Sequence, residues 1–331
     1  MTGSHVIPKH YLELFAVRPS RKAATGLLWV YEKGKPPRQG AAVRECRENG
    51  YLGIPRLSGP PDEWLEGALA REESAHASLL GLVPSRCFVW DLRKRTLVAE
   101  CVGLMFARSR GRQAAQAQLL SIAQVLVREL KCEGLFDQLA AERNLAGRPA
   151  ISGAELAAKF DAEVMSGSGD VLQAAFAEGL PPGAQQTAAA VFRRHWQVWH
   201  APVGLEFVTS DTPVATVQSI GGGLAPGFGF NDPRAWIFFP LGPEACLVAG
   251  PGGGEHRDVG AAKLHEINEL LVAFAQRFVY ARSPGEGIRA LVEERCGAAQ
   301  FGRTVFVPTA ALRERLKAQT AALIRESLLR I

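Results

Sequence analysis

Three observations predict an α+β fold. One β-rich run near residue 30 precedes a long stretch with helical spacing. Further strands then crowd between residues 205 and 250, and helical patterns follow to the end. Strands and helices segregated in this way suit an α+β architecture better than a doubly wound parallel sheet, which needs them to alternate. The chain has 331 residues, 47% apolar and 21% charged, enough to bury a large core and too apolar for wholesale disorder. The sequence reads as a single large domain with its core over 5–300. A small, mostly antiparallel sheet is expected from the N-terminal strand and the strands of 205–250.

Along the chain, Leu27 to Tyr31 is a strand that stops at a basic Gly-Pro turn, Lys33 to Pro37. Residues 34–61 carry five prolines and read as an irregular loop. Pro61-Asp62 then caps a helix from Glu63 to Leu82, with Trp64, Leu65, Leu69, Leu79 and Leu80 on one side. Helices follow over about 92–107, over Gln113 to Asn144 as one or two pieces, and near 152–165, 170–178 and 184–199. After Pro202, Leu205 to Thr209 alternates as a strand and residues 214–220 continue as another. Gly221 to Asn231 is a glycine loop, and Trp236–Phe239 with Ala245–Ala249 form a hairpin around Pro240-Leu-Gly-Pro243. Residues 259–281 and Gly285 to Arg295 are helical. Thr309 to Ile331 carries Leu312, Leu316, Leu323 and Leu328 on one stripe and reads as an amphipathic docking helix.

Bulk chemistry narrows the function classes. The 38 basic and 33 acidic residues leave a net charge of +5 and a pI near 9.0, which permits phosphate-bearing partners. No leader-like apolar run and no stretch of about 18 apolar residues is present, so neither secretion nor a membrane span is expected. The six cysteines lack any Cys-x-x-Cys spacing and read as reduced thiols of a cytoplasmic protein.

Candidate chemistry begins at His5-Val-Ile-Pro8-Lys-His10-Tyr11-Leu12-Glu-Leu-Phe15. Tyr11, Leu12 and Phe15 are spaced to pack as a helical anchor, which would hold His5 and His10 against the body. Histidine suits proton transfer near neutral pH. Asp211, in Ser210-Asp-Thr-Pro213, follows a β-run, where a carboxylate either orients a general base or caps a turn. Arg108, Arg110 and Arg112 bring three guanidinium groups to a helix end, and Asn268 sits in an otherwise apolar helix. Glu73-Ser-Ala-His76 has no second copy to complete a di-iron set, and Gly250 to Gly254 lacks the Gly-Lys-Ser/Thr of a phosphate loop. No metal or cofactor is expected.

Four ordered signatures carry a resemblance. They are the 5–15 segment, Phe207-Val-Thr-Ser210-Asp211-Thr-Pro213-Val, Phe239-Pro240-Leu241-Gly-Pro243, and Asn268 with Tyr280 in a late helix. Over residues 5–285 the chain resembles the uncharacterised bacterial family called domain of unknown function 4238. The family pattern has Arg-Thr-Pro after the mid-chain helix, where this chain has Arg108-Ser109-Arg110, and often Asn where Thr212 stands. The resemblance implies functional roles at matching positions but no established activity. The expectation is a metal-independent hydrolase or nuclease-like enzyme for a phosphate-bearing substrate, including nucleic acid. His5, His10 and Asp211 would be catalytic, and Arg108, Asn268 and Tyr11 would bind substrate. The alternative is a non-catalytic binding or regulatory protein in which the same residues are structural.

Overall fold

The structure is a computed structural model that describes residues 4–18, 25–49, 51–52, 64–162, 168–220, 223–226, 229–252, 254–299 and 310–330. About 49% of the chain is helix and 19% strand, an α+β fold. Strand β1 (Ser4–His5) precedes a single helical turn, α1 (Lys9–Leu12), which tightens to a 3₁₀ turn through Phe15. Strand β2 (Leu27–Glu32) turns back into β3 (Arg38–Ala41), and β4 (Arg47–Glu48) returns to pair with β1. The expected 34–61 loop therefore contains two strands. Polar Arg38-Gln-Gly-Ala41 has no strand signature of its own and is extended because β2 offers it a ladder. The Pro61-Asp62 cap lies outside the described residues.

Helices α2 (Trp64–Leu80), α3 (Leu92–Ala107), α4 (Arg110–Cys132) and α5 (Leu135–Leu145) follow where the apolar spacing puts them. Asp91 starts α3 by accepting the Lys94 N–H at 2.8 Å. A capping box between Ser152 and Glu155 opens α6 (Gly153–Phe160). The next two expected helices are in fact one, α7 (Ser168–Phe192), which runs through Pro181 and Pro182. Residues 195–200 are not its continuation but strand β5 (His195–His200), because Trp196, Val198 and Trp199 gain partners in the sheet. Next come β6 (Thr209–Ser210), β7 (Ala215–Ile220), β8 (Gly223–Pro226), β9 (Trp236–Gly242), β10 (Ala245–Gly250) and β11 (His256–Asp258). Only the end of the expected 205–209 strand joins a ladder, and part of the expected glycine loop is β8.

The expected 259–281 helix ends early. Helix α8 (Ala261–Phe274) stops before Gln276, and β12 (Phe278–Ala281) carries Tyr280 on a strand, not in a helix. Helices α9 (Glu286–Arg295) and α10 (Ala310–Arg330) complete the chain. The strands of the described residues form three sheets rather than one. They are β1-β4, β3-β2-β12-β6, and the six-stranded β11-β5-β10-β9-β7-β8, which is antiparallel except where β11 runs parallel to β5. The β9–β10 hairpin is as expected. Thus β2, the strand expected at Leu27 to Tyr31, shares a sheet with β6 but not with the strands of 215–250.

Chain contacts cluster into two compact units, 1–114 with 176–303, and 115–175 with 304–331. In the first, Val6, Ile7, Tyr11, Leu12 and Phe15 are fully enclosed in a core shared with α3, β9 and β10. A second cluster packs α8 against β7, β9 and β10. In the other unit, Ile324 of α10 is buried among Val127, Leu130, Phe136, Leu139 and Phe160. The side chains of Leu312, Leu323 and Leu328 lie outside the described residues. No described helix is long and apolar enough to cross a membrane.

Candidate functional site

The signature at residues 5–15 is held by the backbone of distant segments. Val6 N–H donates to Cys46 C=O at 2.7 Å, where Cys46 adopts a left-handed φ of 53°. Arg108, 1% exposed at the end of α3, donates its Nε to Val6 C=O at 3.1 Å. Its two terminal nitrogens bond His5 C=O and the Glu73 carboxylate. Each of the three guanidinium nitrogens thus has a protein partner, and Arg108 C=O accepts the Tyr51 hydroxyl at 2.7 Å. Tyr11 is fully buried and stacks on Phe239 with ring centroids 5.1 Å apart. Its hydroxyl lies 2.8 Å from Thr209 Oγ1 and donates to Pro240 C=O at 2.9 Å. Three signatures therefore meet at one phenol: the N-terminal segment, the Thr-Ser-Asp run and the Phe-Pro turn.

Asp211 has no exposed surface. Its carboxylate accepts the backbone N–H groups of Gln276 (2.8 Å), Arg277 (2.9 Å) and Phe278 (3.1 Å), tying the end of α8 to the start of β12. Burial pushes its carboxyl up to about 6, against the pull of those N–H groups and of the Arg110 guanidinium 3.8 Å away. Half-buried His5 instead sets its Nε2 3.2 Å from Val43 C=O. The hydrogen bonds to the Asp211 carboxylate come from these three backbone groups and none from His5. Asp211 satisfies three backbone donors that no other described side chain reaches. Ser210 and Thr212 lock the same turn, Ser210 Oγ donating to Thr212 C=O at 3.0 Å.

Asn268 repeats this pattern. Its Oδ1 accepts Val208 N–H at 3.1 Å and its Nδ2 donates to Glu206 C=O at 2.8 Å, completing the backbone of 206–208 as a neighbouring strand would. It is the only one of the six expected site residues lining the cleft of about 710 Å³ between the 201–206 segment, α8 and α9. The charged groups of that cleft are committed to backbone or to one another. Glu206 accepts the N–H groups of Arg282 and Ser283, and Arg282 pairs with Glu244.

His10 behaves differently. Its Nε2 is buried without a hydrogen-bond partner among the described residues, as is Nδ1 of His76 on α2, a residue only 3% exposed. Burial holds both rings neutral and lowers each to about 4, helped at His10 by the charges of His76 and Arg108. With Glu73 they make a largely buried polar cluster whose one sequence signal is the Glu-x-x-His spacing, an incomplete metal motif. The three arginines at the α3–α4 junction do not share a pocket rim. Arg108 points into the N-terminal segment, while Arg110 reaches Glu48 and the Asp211 carboxylate.

Every signature in the ordered set is thus engaged in this one body of contacts, and the profile of the family described as "Protein of unknown function (DUF4238)" matches residues 4–285. The chain belongs to the DUF4238 family. No curated protein and no solved structure matches it. In this DUF4238 chain the matched residues end at Gly285, just after β12, so the profile spans the whole of the Asp211 and Asn268 contacts.

Proposed function

We propose that this DUF4238 protein is a non-catalytic binding or regulatory protein, and that its signature residues fasten the fold. The observation that carries this reading is Asp211, fully enclosed and bonded to three consecutive backbone N–H groups. A catalytic carboxylate needs access to a reacting atom, and this one is closed off. Replacing it should strand three donors at roughly 1–3 kcal/mol for each unmet group, moderated by relaxation. Asp211→Ala is expected to lower the melting temperature by about 6 °C or more, at about 2 °C per kcal/mol for a chain of this size. Calorimetry decides it: a variant melting within a degree of the parent overturns the structural role.

One observation favours the catalytic reading, an enzyme for a phosphate-bearing substrate including nucleic acid. Neutral His10 and His76, each with an unbonded buried nitrogen and near enough for their charges to interact, form an acid–base pair in type. That reading requires hydrolysis of a fluorogenic phosphodiester or a labelled single-stranded RNA, lost in His76→Gln. A cytoplasmic location is part of the proposal and is supported by six free thiols, three of them buried.

A further inference from the structure

The junction between α7 and β5 carries Arg193-Arg194-His195 into a cavity of about 290 Å³, closed on the far side by the 230–233 turn and Gly250-Pro251. Arg194 builds its wall. One terminal nitrogen donates to Pro233 C=O at 3.2 Å and Ala235 C=O at 2.6 Å, the other to Phe230 C=O at 2.7 Å and Asp232 C=O at 2.5 Å. A guanidinium spread over four carbonyls fixes the turn and leaves its positive charge beside the cavity. The adjacent polar side chains have no such employment. Arg193, His195 and Asn231 are exposed and make no hydrogen bond or ion pair among the described residues. No acidic residue is among the described residues that line the cavity. Nearby Asp232 is bonded to Arg234 at 2.9 Å.

A helix C-terminus ordinarily repels anions. Here that end of α7 is covered. Arg95 Nη2 donates to Phe192 C=O and Arg194 C=O, both at 3.1 Å, and Trp196 Nε1 donates to Val191 C=O at 2.9 Å. The field at the cavity mouth is therefore set by Arg193 and Arg194. Close packing below requires glycine at 250, since a Cβ there would sit 2.4 Å from the Trp236 ring. Phe230, Pro233 and Pro251 supply an apolar side beside the charged one.

We propose that this cavity binds a phosphate dianion, free or as a small phosphomonoester, with Arg193, His195 and Asn231 as its donors. Paired guanidinium and imidazole donors match a tetrahedral dianion, and the volume admits the phosphate with a small substituent against Phe230. The inference rests on the binding reading of the whole protein and supplies its ligand class. Titration calorimetry of the full chain with inorganic phosphate and with phenyl phosphate tests it, at low salt and again at about 300 mM NaCl. Binding should weaken with salt, and Arg193→Gln should weaken it about tenfold with an unchanged melting temperature. Tighter binding of phenyl phosphate assigns the site to phosphomonoesters, and equal binding assigns it to free phosphate. No heat with either probe, or equal affinity in Arg193→Gln, overturns the proposal. So does binding confined to an unphosphorylated single-stranded oligonucleotide. The Asp211→Ala melting shift is independent of all these outcomes, so the two readings fail separately.

Discussion

Asp211, His10 and His76 are ionisable groups shifted by burial, fully for Asp211 and His76 and partly for His10, and they pull stability in opposite directions with pH. The two histidines are held neutral, lowered to about 4. Their contribution is complete above about 6.5, the value of an unfolded histidine, and is lost as pH falls toward 4. The Asp211 carboxyl is raised to about 6, so its contribution has the other sign, complete below the unfolded value of 3.8 and lost as pH rises through 6. Between pH 6 and 5 the unfolded chain holds about two protons at these sites while the native chain holds about one. Stability should therefore fall by about 1.4 kcal/mol for each pH unit of acidification from these three groups. Urea unfolding at pH 6 and pH 5 measures the slope, and His76→Gln should remove most of it. An unchanged slope would mean that His76 is not held neutral by burial.

Among the elements, the crossing of α3 and α7 is the tightest test of packing. A Cβ on Gly103 would lie 2.3 Å from Ala184 C=O and 2.9 Å from Ala188 N, so the helices meet through backbone. Gly103→Ala should cost about 1–3 kcal/mol by overpacking. Gly183→Ala, with open space around it, should gain on the order of 0.5–1 kcal/mol from helix propensity. Denaturant midpoints of the pair check both signs. Elements were legible wherever burial follows a period the residues themselves carry, as in α3, where Asp91 also marks the start. They were illegible wherever a neighbour decides. Arg38-Gln-Gly-Ala41 and Gly223–Pro226 are strands only because β2 and β7 pair with them. His195–His200 was absorbed into the preceding helix because its aromatic residues fit either period, and β12 hid behind α8 because only Ala275-Gln276-Arg277 separates two apolar runs. The candidate site was half legible. The signature segments do gather, but Asp211, Arg108, Tyr11 and Asn268 spend their polar atoms on backbone groups, and sequence spacing cannot tell a bonded carboxylate from a free one.

At the scale of the whole molecule, the two compact units have separate cores. The smaller one depends on Ile324 from α10, with exposed ion pairs Arg313–Glu129, Lys317–Glu133 and Arg325–Glu142 around it. Such surface pairs contribute little each, so the buried isoleucine dominates. Ile324→Asp is expected to accelerate amide hydrogen exchange in 124–160 and 310–330 while leaving β9 and β10 protected. Acceleration throughout the chain would instead mark one cooperative domain, as the sequence reading holds.

The fastening of Tyr11 also sets a timetable for synthesis. Its hydroxyl is bonded to Thr209 and Pro240, which follow it by 198 and 229 positions. A ribosome adding about 5–20 residues per second needs on the order of 10–50 s to reach them. Throughout that interval Val6, Ile7, Tyr11, Leu12 and Phe15, all fully enclosed in the finished protein, lack the strand they pack against. For most of its synthesis, then, a nascent chain of this protein carries these five apolar side chains without the β9 strand that completes their core.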